Sequence, residues 1–207
     1  IRDRLTGVFA QVPIRWGLTG TIPKAQYEAQ ALYVSLGNVI GKLSASELQD
    51  KGVLAQCHVN IIQLQDHVEF TNYQSELKHL LEDKNRLDTI AELVLKIKDS
   101  GNTLILVDRV NAGKEIVDRL PNAVFVSGET KLTERKEEYD EVATANDKII
   151  VATYGVASVG INIPRIFNLV LLEPGKSFVR VIQSIGRGIR KAEDKDHVMI
   201  WDITSSC

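Results

Sequence analysis

Residues 148–172, KIIVATYGVASVGINIPRIFNLVLL, contain two continuous apolar runs, at 148–152 and 167–172, separated by glycine, asparagine and proline. Short runs rich in Val, Ile and Leu are typical of strands that are buried on both faces of a parallel sheet. Four more runs of this kind lie at 59–64, 103–107, 123–127 and 197–203. We therefore expect six buried strands.

Helical patterns lie between these strands. In 86–99, four apolar residues fall on one helical face, and Gly101 supplies a stop signal. Further helices are expected at 111–120 and at 133–145, the second of them charged on most faces. The alternation of strands and helices predicts a doubly wound α/β domain over roughly 55–207.

The composition excludes several classes of protein. Of the 207 residues, 44% are hydrophobic and 25% are charged, which is unlike a disordered, collagen-like or low-complexity chain. With a net charge of −2, the chain is not basic overall, as a protein that coats DNA would be. No apolar run approaches the roughly 18 residues of a membrane span, and no secretory signal is visible. We expect a cytoplasmic protein without a membrane partner.

Cysteine and histidine positions do not indicate a metal site. Cys57 and Cys207 are far apart, which favours reduced thiols. The four histidines have no metal-ligand spacing, so we expect them to be structural: His58, His67, His79 and His197.

The first 50 residues follow a different pattern. A short run around 12–16 leads into GLTGTIP at 17–23, which predicts a strand followed by a loop. Residues 24–52 predict a helical stretch, a turn between Gly37 and Gly41, and a short helix from Ser44 or Ser46. Trp16 is expected to be packed. We expect residues 1–23 to end one domain and residues 24–207 to build another, and the start at Ile1 suggests a piece of a longer protein.

No complete phosphate-binding loop is present. Such a loop needs two glycines at a fixed spacing followed by Lys and Ser or Thr, so that backbone N–H groups converge on phosphates. Three places approach this pattern and fail it, at Gly37–Lys42, Gly113–Lys114 and Gly175–Ser177. The chain alone therefore offers no evident phosphate cradle.

The sharpest feature is the octet QSIGRGIR at 183–190. On a helix, Gln183, Arg187 and Arg190 share one face, while the apolar residues form another. The surrounding segment 176–195 carries a net charge of +4. Two neighbouring guanidinium groups suit a polyphosphate, because each offers planar and permanent donors. A solvated basic face is the alternative interpretation.

This octet resembles motif VI of superfamily 2 helicases and translocases, and other segments match the family in the same order. GLTGT at 17–21 resembles motif III, and 103–109 resembles motif IV. Ser127-Gly128 with Arg135 is similar to the short unit that follows. VATYGVASVGIN at 151–162 resembles motif V, although Asn162 stands where the family usually has Asp. Within the superfamily, these pieces are most similar to recombination-repair helicases of T4-type phages.

The resemblance implies a C-terminal RecA-like domain of the P-loop NTPase class, with a mainly parallel sheet and a short tail of the first RecA-like domain. In this family, ATP binds between the two RecA-like domains. Motifs I and II, which bind the phosphates and Mg²⁺, are absent from the sequence. ATP and Mg²⁺ would then be held mainly by the first domain, and the chain alone is predicted to be inactive.

The resemblance also assigns roles to individual residues. Arg187 and Arg190 would stabilise the transferred phosphate as arginine fingers, with Gln183 as a positioning contact. Gly160 and Asn162 would line the ATP cleft. Nucleic-acid backbone contacts would come from Arg109, Ser127, Gly128 and Thr153, with Lys131 and Arg135 flanking them. Thr19 and Thr21 would couple the two domains.

The implied function is one part of an ATP-dependent helicase that acts on nucleic acid, with branched or single-stranded DNA in repair and recombination as the expected substrate. Two alternatives remain open at this point. The chain could be a non-catalytic regulatory module that binds nucleic acid through the basic helix. It could also belong to a translocase that moves on duplex DNA without separating the strands.

Overall fold

The computed structural model describes residues 2–20, 22, 25–159, 165–173 and 193–207. It divides into two compact units, Ile1–Leu48 and Gln49–Cys207. The boundary separates two groups of residues, each of which makes its contacts mainly within its own group. The assignment of residues 1–23 to a first RecA-like domain and of residues 24–207 to a second stays a prediction.

The described residues of the first unit form helices joined by loops. Its helices are α1 (Arg2–Thr6), α2 (Gln26–Leu36) and α3 (Ala45–Asp50), the last of which runs into the second unit. Ser44 begins α3 with a reciprocal cap: its backbone N donates to Glu47 Oε2 at 2.7 Å, and Glu47 N donates to Ser44 Oγ at 3.1 Å. The sequence predicts a helix start at Ser44 or Ser46, and this capping box places it at Ser44.

Two expectations for this unit are wrong. The run at 12–16 is not a strand, because a strand needs a neighbour to pair with and none of the described residues pairs with it. Trp16 is 79% exposed rather than packed. Ser35 is the one buried residue among the described residues of this unit, so the described part of the unit has no hydrophobic core of its own.

The second unit is built on one sheet of six parallel strands. They are β1 (Gln56–Leu64), β2 (Thr103–Val107), β3 (Val124–Val126), β4 (Ile149–Thr153), β5 (Asn168–Leu171) and β6 (His197–Ser205). Their spatial order is β1-β6-β5-β2-β4-β3. Every neighbouring pair is parallel. The predicted doubly wound α/β fold with six strands is confirmed.

Helices cover the sheet between these strands. They are α4 (Tyr73–Glu82), α5 (Lys84–Ile97), α6 (Val110–Val117), α7 (Leu132–Thr144) and α8 (Tyr154–Val159). The helices predicted at 86–99, 111–120 and 133–145 are all present. Helix α4 was not predicted, although Asn72 caps it by accepting a hydrogen bond from Ser75 N at 3.0 Å.

The sheet is buried on both faces, which is why its central strands read as continuous apolar runs. Along β2, Ile105 and Val107 belong to one core cluster, with apolar residues of α5 and α6. Leu104 and Leu106 belong to a second cluster on the other face, with residues of α7 and α8. Among the described residues, no helix is both long enough and apolar enough to span a bilayer.

Gly113 belongs to one of the three incomplete phosphate-loop patterns, and the structure shows why a glycine stands there. It lies inside α6, where a Cβ atom would come within 2.2 Å of the Phe125 ring on β3. The glycine is therefore needed for the close approach of a helix to the sheet. This packing role gives Gly113 a structural function without any phosphate.

Candidate nucleic-acid interface

The carboxyl ends of three neighbouring strands bring the predicted nucleic-acid contacts together. Thr153 is the last residue of β4 and pairs in register with Val107, the last residue of β2. Ser127 and Gly128 follow β3 directly, and β3 is the other neighbour of β4. Because all three strands are parallel, these ends lie at one edge of the sheet. In open α/β sheets, this edge is where ligands bind.

Arg109 lies in the turn between β2 and α6. It is exposed and occupies the N-cap position of α6, with extended backbone angles of φ −108° and ψ 137°. Its own side chain makes no capping hydrogen bond. The guanidinium is therefore available to a ligand at this edge, and the helix N-terminus beside it favours negative charge.

Ser127 and Gly128, in the loop after β3, have different roles. Ser127 is only 4% exposed, and its hydroxyl oxygen accepts a hydrogen bond from Glu129 N at 3.3 Å. Its backbone N donates to Thr130 Oγ1 at 3.0 Å. Gly128 is exposed, with open space where a Cβ would be. Ser127 therefore shapes the loop, and the backbone at Gly128 is the part that a ligand can approach.

A flanking arginine holds this loop. Arg135 lies on α7 and donates from Nη2 to the carbonyl oxygen of Gly128 at 2.8 Å. Lys131, before α7, is exposed, and its Nζ lies 3.9 Å from Glu134 Oε1. Arg135 therefore places a cation beside the exposed glycine backbone, where it favours a phosphate.

The residue after Thr153 is buried. Tyr154 begins α8, and its hydroxyl has no hydrogen-bond partner among the described residues. Burial raises the pKa of Tyr154 above its usual range, and the carboxylates of Glu173, Asp202 and Asp108 raise it further. The phenol therefore stays neutral.

Glu173 belongs to this edge and was not predicted. It follows β5 after Leu172 and is 3% exposed. Its Oε1 accepts a long hydrogen bond of 3.4 Å from Arg109 N, while Oε2 has no partner among the described residues. Burial raises the pKa of Glu173 to about 7, and the backbone N–H groups of Arg109 and Asp108 oppose this rise. The sequence did contain a signal that could have identified Glu173: its carboxyl group directly follows the apolar run at 167–172.

Arg86 is a second buried charge that was not predicted. It lies near the start of α5, and its Nη1 and Nη2 donate to the carbonyl oxygens of Leu80 and Leu172, each at 2.8 Å. Burial lowers the pKa of Arg86, while the charge of Glu173 raises it. Its spacing of four residues from Ile90 places it on the apolar face of the helix, which was visible in the sequence.

One lysine of the predicted basic segment is not at the surface. Lys195 is 1% exposed, and burial lowers its pKa to about 8. The net charge counted over 176–195 therefore includes a side chain that does not contribute to an outward basic face. Burial decides this, and a charge count along the sequence does not detect it.

Several predicted site residues lie outside the described residues: Thr21, Gly160, Asn162, Gln183, Arg187 and Arg190. Thr19 is described and exposed. Within the described ranges, no group of three or more His, Cys, Asp or Glu side chains could hold a metal ion. The roles of these residues toward ATP stay predictions.

Comparison with known proteins decides the family. Residues 85–192, just over half of the chain, match the model of the helicase conserved C-terminal domain. The chain belongs to this family. It is 30% identical over 204 residues to the ATP-dependent DNA helicase uvsW of Enterobacteria phage T4. That match covers 93% of this chain and 40% of the phage protein, so the chain spans less than half of that relative.

Solved structures agree with this assignment. The crystal structure of T4 UvsW superposes with a TM-score of 0.61 at 26% identity, over 84% of this chain and 36% of that one. A fragment assigned as the HsdR subunit of a type I restriction enzyme from Vibrio vulnificus YJ016 superposes with a TM-score of 0.73 over 92% of this chain and 39% of that one. Its identity of 23% supports the fold alone. The predicted resemblance to superfamily 2 helicases and the RecA-like fold are confirmed.

Proposed function

We propose that this chain is the C-terminal motor region of an ATP-dependent DNA helicase of superfamily 2, and that it contacts the nucleic-acid backbone at the carboxyl edge of β2, β4 and β3. One observation carries the proposal: Arg109, Thr153 and Gly128 lie at or just after the carboxyl ends of three neighbouring parallel strands, and therefore at the same edge of the sheet. These residues are far apart in the sequence, and the parallel fold gathers them.

The chemistry of this edge suits phosphates rather than bases. An exposed guanidinium at Arg109, the open backbone at Gly128 and the hydroxyl of Thr153 are donors to phosphate oxygens. Ser127 supports the loop from its buried position. Such contacts fix the position of a strand without reading its sequence, as a motor that moves along DNA requires.

ATP hydrolysis is assigned to a shared site. In this proposal, Arg187 and Arg190 stabilise charge on the transferred phosphoryl group, Gln183 positions the reacting groups, and Gly160 and Asn162 line the cleft. The sequence contains no phosphate-binding loop. ATP and Mg²⁺ are therefore held mainly by a first RecA-like domain, and residues 1–207 alone show no nucleic-acid-stimulated ATPase activity.

The first unit supports the proposed domain partner. Large apolar side chains are exposed along its described residues, including Ile14, Trp16 and Leu18. Exposed apolar surface of this kind marks an interaction site. We propose that these side chains pack against the rest of the first RecA-like domain. Thr19 and Thr21 lie in the segment that couples the two domains.

The substrate proposal rests on the phage relative, which is a DNA helicase. We place the complete protein on branched or single-stranded DNA, in repair and recombination in the cytoplasm of a host cell. The alternative function is a non-catalytic module that holds nucleic acid through basic residues. It predicts salt-sensitive binding without any need for Arg190 in an ATP-dependent step.

The test is DNA-stimulated ATP hydrolysis by the complete polypeptide that contains this chain, compared with its Arg190→Ala variant. We expect the variant to lose turnover by roughly 10³-fold or more, as for other arginine fingers, while DNA and ATP still bind. Lys78→Ala, which removes an exposed cation of α4 outside the proposed sites, is the control and keeps its turnover. An Arg190→Ala protein with normal turnover would support the non-catalytic module instead.

A further inference from the structure

We propose that Glu173 is a positioning residue that holds the turn at Asp108 and Arg109 in the conformation in which Arg109 meets the nucleic-acid backbone. This inference rests on the proposed function, because it needs Arg109 to contact nucleic acid. It adds a residue from the end of β5 to a site otherwise built from β2, β4 and β3.

The N-terminus of α6 lacks a cap from its own sequence. Good N-cap residues are Ser, Thr, Asp and Asn, whose short side chains accept hydrogen bonds from the first free N–H groups. Arg109 occupies this position and makes no capping bond. The carboxylate of Glu173, from another strand, accepts from the N–H of the N-cap residue itself, at 3.4 Å from Arg109 N, so one of the unpaired amides at the start of the helix has an acceptor.

The acceptor leaves the Arg109 side chain free for a ligand. A Ser or Asp at position 109 could cap α6 locally, but it would replace the guanidinium. With its backbone N–H held by Glu173, Arg109 starts the helix and presents a cation. The backbone N–H of Asp108 also interacts with the Glu173 carboxyl group, so two consecutive amides of the turn are oriented by one side chain.

Glu173 itself is held in place. Arg86 Nη2 donates to the carbonyl oxygen of Leu172 at 2.8 Å, which fixes the chain one residue before Glu173. The residues Leu169, Val170, Leu171 and Leu172 are all buried. The acceptor thus follows directly after a buried strand end.

A buried carboxyl group is a poor choice for stability alone. Glu173 is 3% exposed, and its Oε2 has no partner among the described residues. Burial of a polar group without full hydrogen bonding is unfavourable, and an apolar side chain of similar size would pack at lower cost. A role in orienting the turn accounts for the presence of this group.

The test uses the complete polypeptide with Glu173→Leu, which removes the acceptor, and Glu173→Gln, which keeps an acceptor oxygen. We expect the leucine variant to bind single-stranded DNA about fivefold more weakly, the equivalent of one ordinary hydrogen bond. We expect the glutamine variant to stay within about twofold of the parent protein.

A double-mutant cycle with Arg109→Ala separates orientation from general loss of structure. If Glu173 acts through Arg109, Glu173→Leu has no further effect on DNA affinity once Arg109 is gone. Additive losses in the cycle, or a leucine variant that binds DNA like the parent, would overturn the proposal. A glutamine variant that loses as much affinity as the leucine variant would overturn it as well.

Two outcomes need separate treatment. If Glu173→Leu does not fold, Glu173→Met carries the same test with a more adaptable side chain, and failure of both to fold would overturn a positioning role in favour of a structural one. If the parent protein neither binds DNA nor hydrolyses ATP, the proposed function fails. That result is distinguishable, because it appears before any variant is made.

Discussion

The guanidinium of Arg86 donates a hydrogen bond of 2.8 Å to the carbonyl oxygen of Leu172, and this joins the start of α5 to the end of β5. A second bond of the same length runs from Arg86 to the carbonyl oxygen of Leu80 in α4. One buried side chain therefore satisfies two carbonyl groups from different elements. It anchors the strand end that carries Glu173.

We predict that Arg86→Met lowers the free energy of unfolding by about 2–4 kcal/mol, because it leaves two buried carbonyl groups without their donor. Urea denaturation of the chain measures this change. The control is Lys78→Met, which removes an exposed cation 3.9 Å from Glu82 and is expected to cost less than about 0.5 kcal/mol. Equal effects of the two substitutions would contradict a structural role for Arg86.

The stability of the fold should depend on the protonation of Glu173. Burial raises the pKa of its folded state from 4.5 to about 7. Between these values, the folded chain keeps a proton that the unfolded chain releases. This contribution to stability is therefore complete below pH 4.5 and is lost as the pH rises through 7.

We predict that Glu173→Gln removes this loss, which amounts to at most about 3 kcal/mol. The measurement is the difference in unfolding free energy between the parent chain and the variant at pH 5 and at pH 8. Asp108, Arg109 and Arg86 interact electrostatically with Glu173 and are common to both proteins. A difference that is the same at both pH values would show that Glu173 titrates normally.

Lys195 should produce the opposite trend at alkaline pH. Burial lowers the pKa of its folded state from 10.5 to about 8, so the folded chain releases its proton first. The unfolding free energy should therefore rise between about pH 8 and pH 10.5. We expect Lys195→Met to lack this rise, as measured by urea denaturation at pH 7.5 and 9.5. An identical pH dependence in the two proteins would exclude a shifted Lys195.

Two glycine substitutions should have opposite effects. Gly113→Ala would place a Cβ 2.2 Å from the Phe125 ring, and such overpacking costs about 1–3 kcal/mol. Gly155→Ala in α8 meets nothing within 4 Å, and the gain in helix propensity stabilises it by up to about 1 kcal/mol. Thermal unfolding of both variants measures these changes. A tolerated Gly113→Ala would mean that α6 and β3 are not in close contact.

The sequence predicted the fold well because its main signals are local. Each of the six strands contains a short apolar run, and β2 and all but the last residue of β4 are buried. A short helix from Ser44 or Ser46 was predicted, and a capping box at Ser44, which the prediction did not use, begins it. The strand expected at 12–16 failed because strand formation needs a neighbour, which a pattern of residues does not supply.

The candidate site was only partly predictable. Arg109, Thr153 and Gly128 were identified through resemblance to a family, and their common edge follows from parallel strands. The buried charges Arg86, Glu173 and Lys195 were missed or misplaced, since burial and partners across the fold decide their environment. Arg86 and Glu173 contact residues 86 and 64 positions away, respectively, and the sequence does not encode such pairs locally.

The central claim is that nucleic acid is held at the edge that contains Arg109. The most direct measurement is the salt dependence of single-stranded DNA binding by the chain and by two variants, Arg109→Ala and Arg119→Ala. Each variant removes one arginine, from opposite ends of α6, and Arg119 is paired with Asp88 and Glu115. We predict that Arg109→Ala weakens binding and lowers the slope of log K against log salt by about 0.7, whereas Arg119→Ala changes neither. Equal slopes for the parent chain and Arg109→Ala would contradict the account.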